Sequence, residues 1–167
     1  MVPRSSKVAY GLANAANGLL SGLGLNNLIF FYSEKLGFDL SLQGAAWLIF
    51  IIVNALNDPL LGILEERIDT KIGRRIPVLR YGAPVYAFLF ILVWFPFAPA
   101  GNQLLLFINY LLMLCAFDTI YSMIGLVTYS LPAEMAITSK QRSSIMVYST
   151  LLGFVPQILG IGLPLLF

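Results

Sequence analysis

The sequence has no histidine and only one cysteine, Cys115, and charged residues make up just 11% of its 167 positions. Each scarcity excludes something. Without histidine there is no Ser-His or Cys-His nucleophile, no imidazole haem ligand and no Cys/His zinc cluster. A lone cysteine cannot form an internal disulfide. An ordinary soluble domain carries about 25% charged residues, so this chain has too little polar surface to cover itself in water. A soluble globular enzyme is excluded on that ground, and so are disordered and collagen-like classes. The formal net charge of +2 is too small to point to nucleic acid.

What the sequence has in excess is apolar length, with 59% hydrophobic residues. A membrane-crossing helix needs roughly 20 mostly apolar residues. Five stretches qualify, at 8–32, 42–64, 77–97, 103–131 and 145–167. Their apolar runs are continuous rather than alternating, which argues against a β-barrel, and no secretory cleavage pattern follows the first. The expected class is an all-α integral membrane domain with about five transmembrane helices.

The basic residues set an expected orientation. Arg4 and Lys7 precede the first span, Arg67, Lys71, Arg74, Arg75 and Arg80 cluster about the second connection, and Lys140 and Arg142 lie in the fourth. The first connection has only Lys35, and the third has no charge. Nine of the ten basic residues therefore share the side of the N-terminus, which the positive-inside rule makes cytoplasmic. The expected location is the cell or inner membrane.

Polar residues inside apolar helices carry the chemistry. Asn54, Asn57 and Asp58 fall at i, i+3 and i+4, on one helical face. Pro59 follows and frees the Ala55 carbonyl. A carboxylate, amides and a free carbonyl on one face make an oxygen site for a small hard cation or a proton; a gate or hinge is the competing reading. Asp118, with Thr119 and Ser122, is the second intramembrane acid, and handling of solute or ion competes there with helix–helix bonding. Asn14 and Asn17 suit a polar cavity in the first span, which also carries Asn26 and Asn27, while Gly18 and Gly22 read as close helix packing. The third span, rich in Tyr and Phe, reads as lipid-facing with no polar centre. Gly153, Pro156, Gln157, Gly160, Gly162 and Pro164 mark the fifth.

The stretch from Asn57 to Pro77 is the most specific. It reads Asn-Asp-Pro, Gly62, Glu66-Arg67, then Lys71, Gly73-Arg74-Arg75 and Pro77, and its bases can pair with Glu65, Glu66 and Asp69. This spacing resembles the loop between the second and third helices of major facilitator superfamily transporters. It is nearest the branch of glycoside–pentoside–hexuronide:cation symporters, the melibiose-permease-like carriers. Lys7-Val-Ala-Tyr10-Gly11, the stretch from Phe31 to Gly37, Phe117-Asp118-Thr119, Leu131-Pro-Ala-Glu134 and Lys140-Gln-Arg142 are similar to other parts of that branch.

The resemblance implies part of a six-helix half of an alternating-access carrier, with two such halves around a central cavity. It implies a small, sugar-like solute coupled to a monovalent cation or proton, no cofactor and no resident metal. Asn54, Asp58, Asp118, Asn14 and Asn17 would line the path. Gly62, Glu66, Arg67, Lys71, Gly73, Arg74 and Arg75 would form a cytoplasmic gate. The sequence departs from the branch where an acid is replaced by Asn54, where the first-helix acid position falls on Gly18, and where the fifth-helix basic position falls near Met146. Asp118 does not align cleanly with the fourth-helix acid. These departures point away from melibiose-like recognition and sodium coupling. Five spans also fall short of a complete half, so the polar faces need cover from the lipid-embedded second half or from another membrane subunit. The competing expectation is a non-transporting scaffold that retains a partial transporter fold.

Overall fold

The computed structural model describes residues 2–162, and Pro164 with the last residues of the fifth expected span lies outside them, as do the side chains expected at Asn26 and Gln157 and the glycines at 160 and 162. Five α-helices follow one another: α1 (Arg4–Glu34), α2 (Leu40–Arg67), α3 (Ile76–Val93), α4 (Gln103–Met135) and α5 (Ser139–Gly162), with no strand among the described residues. Each coincides with one expected apolar stretch. The third is shorter than expected, because Pro96 and Pro99 follow Trp94 closely and proline lacks the N–H that would continue the helix.

Among the described residues, α2, α3 and α4 are long and apolar enough to cross a membrane. Only 11% of the most apolar window of α2 is buried within the chain. Leu48, Ile52, Leu56 and Leu60 point outward. An apolar face of that length is an aggregation hazard in water and an ordinary surface in lipid, so the chain is an integral membrane protein.

The chain forms two compact units, one from Gly24 to Ile124 and one from the segments up to Leu23 and from Gly125 onward. In the Gly24–Ile124 unit, aromatic rings lock the end near the first connection. Tyr32 and Tyr110 meet edge to face at 4.9 Å, and Phe38 packs against both. Their polar tips are paired: Tyr32 Oη donates to Asn109 Oδ1 at 2.7 Å, and Trp47 Nε1 donates to Tyr110 Oη at 2.7 Å. The connection turns at Gly37, whose φ of 65° suits glycine. Gln103, opening α4, grips that turn, donating from Nε2 to the Gly37 carbonyl and accepting from the Asp39 N–H. Asp39 then caps α2 by accepting from the Ser41 and Leu42 N–H groups, which holds its carboxyl below the usual carboxylate range.

In the second unit, Tyr10, Ala136 and Ile145 form the core. Gly11 lets α1 approach α5: a Cβ there would meet Leu152 Cδ1 at 2.6 Å and the Tyr148 carbonyl at 3.1 Å. Among the described residues, a Cβ at Gly18 or Gly22 would meet nothing within 4 Å. In the Gly24–Ile124 unit the packing glycine is Gly24, against the Phe117 ring at 2.7 Å.

Two consequences are measurable. Asn109 is fully buried, so Tyr32→Phe removes its hydrogen bond and is expected to destabilise the folded protein by about 1–3 kcal/mol, read by thermal unfolding in detergent. Asp39 has a lowered folded pKa, so its capping is present above the unfolded carboxylate value and is lost as pH falls through the folded one. Amide exchange at Ser41 and Leu42 is expected to accelerate selectively below pH ~4, and Asp39→Ala to abolish that pH dependence.

Candidate functional site

The intramembrane acids meet between α2 and α4. One helical turn separates Asn54 from Asp58, so both side chains leave α2 on the same face. Asp118, only 7% exposed, faces them from α4. Hydrogen bonding orients the Asn54 amide with its nitrogen toward the two acids, 2.9 Å from Asp118 Oδ2 and 3.3 Å from Asp58 Oδ1. The amide bridges two carboxylates that would otherwise face one another unscreened. Beside it, Asn57 Nδ2 donates to Thr119 Oγ1 at 2.9 Å, and the Thr119 hydroxyl donates to the Cys115 carbonyl at 2.7 Å. The helix runs unbroken through Pro59. The result is a row of oxygen groups that includes two carboxyls, set between helices whose outward faces are apolar. Such a row can bind a small cation or hold and release a proton.

The polar groups of the first helix lie in the other unit. Asn14 Nδ2 donates to Ser149 Oγ on α5 at 2.6 Å. Asn17 is buried, and its Oδ1 has no partner among the described residues. Nearer the chain start, Lys7 Nζ donates to Ser144 Oγ at 2.7 Å and sits 5.8 Å from the centre of the Tyr148 ring. Arg142 Nε caps the end of α4 through the Ala136 carbonyl.

The charged connection between α2 and α3 is an ordered turn. Gly73, at φ 91°, reverses the chain. The Thr70 hydroxyl donates to the Gly73 carbonyl at 2.6 Å, and the Gly73 N–H returns a bond to the Thr70 carbonyl at 2.9 Å. The turn folds Arg74 and Arg75 back onto Glu65, with Nε–Oε1 separations of 3.6 and 3.4 Å. Glu65 and Arg75 are both largely shielded, whereas Arg74 is half open. Glu66, Arg67 and Lys71, expected beside them, are exposed. A Cβ at Gly62 would meet nothing within 4 Å, so packing within this chain does not require glycine there.

Two side chains of weight escaped the sequence reading. Glu65 counted there only as one of three counter-charges, and nothing distinguished it from Glu66 until the turn was built. Tyr86 sits in the helix expected to have no polar centre. It is buried, with its ring 4.9 Å from that of Phe117 and its hydroxyl unpartnered. In an aromatic-rich stretch no pattern separates it from Tyr81, which is exposed.

Comparison with known proteins places this geometry. A family model described as MFS/sugar transport protein matches residues 9–167. An uncharacterized symporter of Synechocystis is 28% identical over 143 residues, covering 83% of this chain and 26% of its own length. The isoprimeverose transporter of Lactiplantibacillus pentosus is 25% identical over 155 residues, covering 92% of this chain and 32% of its own. Transmembrane protein 180 of Gallus gallus is 30% identical over 113 residues, covering 60% and 21%. The chain thus spans about a quarter to a third of the length of the curated relatives it matches. With its apolar outward faces and its match over almost every residue, the chain belongs to the MFS/sugar transport family of the major facilitator superfamily.

Proposed function

We propose that this chain works as the amino-terminal part of a facilitator-type secondary carrier, moving a small sugar-like solute by alternating access with a cation or a proton as the coupling ion. The observation that carries the reading is the Asp58–Asn54–Asp118 group. Placing carboxylates among apolar helices is costly, and two acids on different helices around one amide are more than helix–helix bonding needs. The relatives point the same way, since those compared include symporters and a transporter of isoprimeverose. The basic residues favour a cytoplasmic N-terminus, with the α2–α3 turn on the same side. A second half of the carrier would cover the outward polar edge of α2, where Asp58 is exposed, and the open glycines Gly18, Gly22 and Gly62 leave room for close approach. Asn14 and Asn17 would line the solute path. The α2–α3 turn, pinned by Glu65, would act as the cytoplasmic gate together with Glu66, Arg67, Lys71 and Gly73.

Two experiments on the natural-length protein test this. Asp58→Asn should abolish ion-coupled uptake of radiolabelled glycosides while leaving membrane insertion intact; unchanged, still ion-dependent uptake removes Asp58 from the mechanism, and a protein that never takes up solute would instead be a scaffold. At the gate, Glu65→Arg should slow transport sharply, and the exchange Glu65→Arg with Arg75→Glu should recover most of it. Replacing the half-open Arg74 should matter less than replacing Arg75. Failure of the exchange to recover transport would make the turn an ordinary connection.

A further inference from the structure

The unit made of the segments up to Leu23 and from Gly125 onward has an unbalanced charge. It carries four basic residues, Arg4, Lys7, Lys140 and Arg142, against a single acid, Glu134. The α2–α3 turn differs, since Glu65, Glu66 and Asp69 accompany its Arg67, Lys71, Arg74 and Arg75. The four bases stand where α1 and α5 begin. Lys7 is engaged within the chain by Ser144 and the Tyr148 ring, and Arg142 by the Ala136 carbonyl. Arg4 and Lys140 are exposed. Beside them lies a recess of about 350 Å³, lined by Val2, Pro3, Ser6, Met135, Ile137 and Gln141. Four of these six are apolar. Ile137, in the turn between α4 and α5, is 94% exposed, more than any other large apolar side chain among the described residues. Arg4 follows Pro3 and Lys140 precedes Gln141. Consecutive Cα atoms are about 3.8 Å apart, so both cations stem from the rim of the recess.

We propose that this recess seats an anionic phospholipid. Arg4 and Lys140 hold its phosphate, the Ser6 hydroxyl and the Gln141 amide donate to its ester oxygens, and Val2, Met135 and Ile137 take the start of an acyl chain. An exposed apolar patch rimmed by polar residues marks a surface that meets a partner or a membrane, and basic pockets at the ends of transmembrane helices suit anionic headgroups. The excess of positive charge selects between the lipids that such a patch could meet. A zwitterionic headgroup brings its own cation toward Arg4 and Lys140, whereas an anionic one supplies the counter-charge that this unit lacks. A lipid so placed would tie the start of α1 to the α4–α5 turn. None of this requires that the chain transport a solute.

The test uses the natural-length protein with Ile137→p-benzoylphenylalanine, in vesicles of four parts phosphatidylcholine to one part phosphatidylglycerol with the same acyl chains. Irradiation cross-links whatever lies against position 137, and the mass of the adduct identifies it. Phosphatidylglycerol adducts are expected to exceed the mole ratio roughly tenfold. Arg4→Gln with Lys140→Gln should return them to the mole ratio, whereas Arg4→Lys with Lys140→Arg should keep the excess. Added inorganic phosphate should leave it unchanged. Adducts at the mole ratio before any charge is removed, an excess that survives the glutamine pair, or an excess lost to free phosphate would overturn the proposal. A cross-link to protein in place of lipid would also overturn it, since another part of the carrier would then cover the recess. Uptake is not the readout, so this experiment and the one on Asp58 can fail independently.

Discussion

Everything in this chain answers to one constraint, which is that hydrocarbon offers no hydrogen-bond partner. A polar side chain in an apolar helix must find its partner on a neighbouring helix, in a wet cavity or in a ligand. That requirement aligns α2 with α4. Apolar contacts alone would let two helices of this composition slide, since one leucine face is much like another. The pairs Asn54–Asp118 and Asn57–Thr119 allow one register only. At the other end, Trp47–Tyr110 repeats the same device between the same helices. The seam is thus fixed at two levels by bonds that lipid cannot replace.

The turns obey the complementary rule. Where the chain leaves the apolar layer its backbone groups need partners too, and side chains of another helix or of the turn itself provide them. Gln103 satisfies both a carbonyl and an N–H of the α1–α2 connection, which ties the start of α4 to the turn three elements earlier. The α2–α3 turn is held by Thr70 and by the Glu65 ion pairs, with no comparable aromatic lock. One end of the Gly24–Ile124 unit is therefore set by ring contacts and hydrogen bonds, and the other by ion pairs in which Glu65 and Arg75 are shielded and Arg74 is half open.

The sequence made the helices legible because continuous apolar length is a strong signal, and it made the α2 face legible because a spacing of three and four residues puts side chains on one face whatever the tertiary structure. It did not show what that face would meet. Asp118 is isolated in the sequence, and only the packing of α4 against α2 makes it the neighbour of Asn54. The glycines show the same limit. Among the described residues the close contacts fall at Gly11 and Gly24, which no spacing singled out, because what decides is the bulk of the opposing residue, here Leu152 and Phe117. Tyr86 and Glu65 were invisible for a related reason: each has a near neighbour of identical chemistry, Tyr81 or Glu66, and only burial tells them apart.

An amide between two acids has a consequence that a third carboxylate at the same place would not. Three carboxylates repel, and the arrangement is satisfied by a cation that all three can ligate. With Asn54 the repulsion is between two groups only, and the amide N–H groups already offer each of them a donor. A bound metal cation would have to turn the amide round to use its oxygen. The same residue that makes the pair stable in a low-dielectric layer thereby lowers its demand for a cation. Position 54 thus bears on the charge of the site as well as on the register of α2 against α4, since a carboxylate there would put repulsion in place of the bond to Asp118.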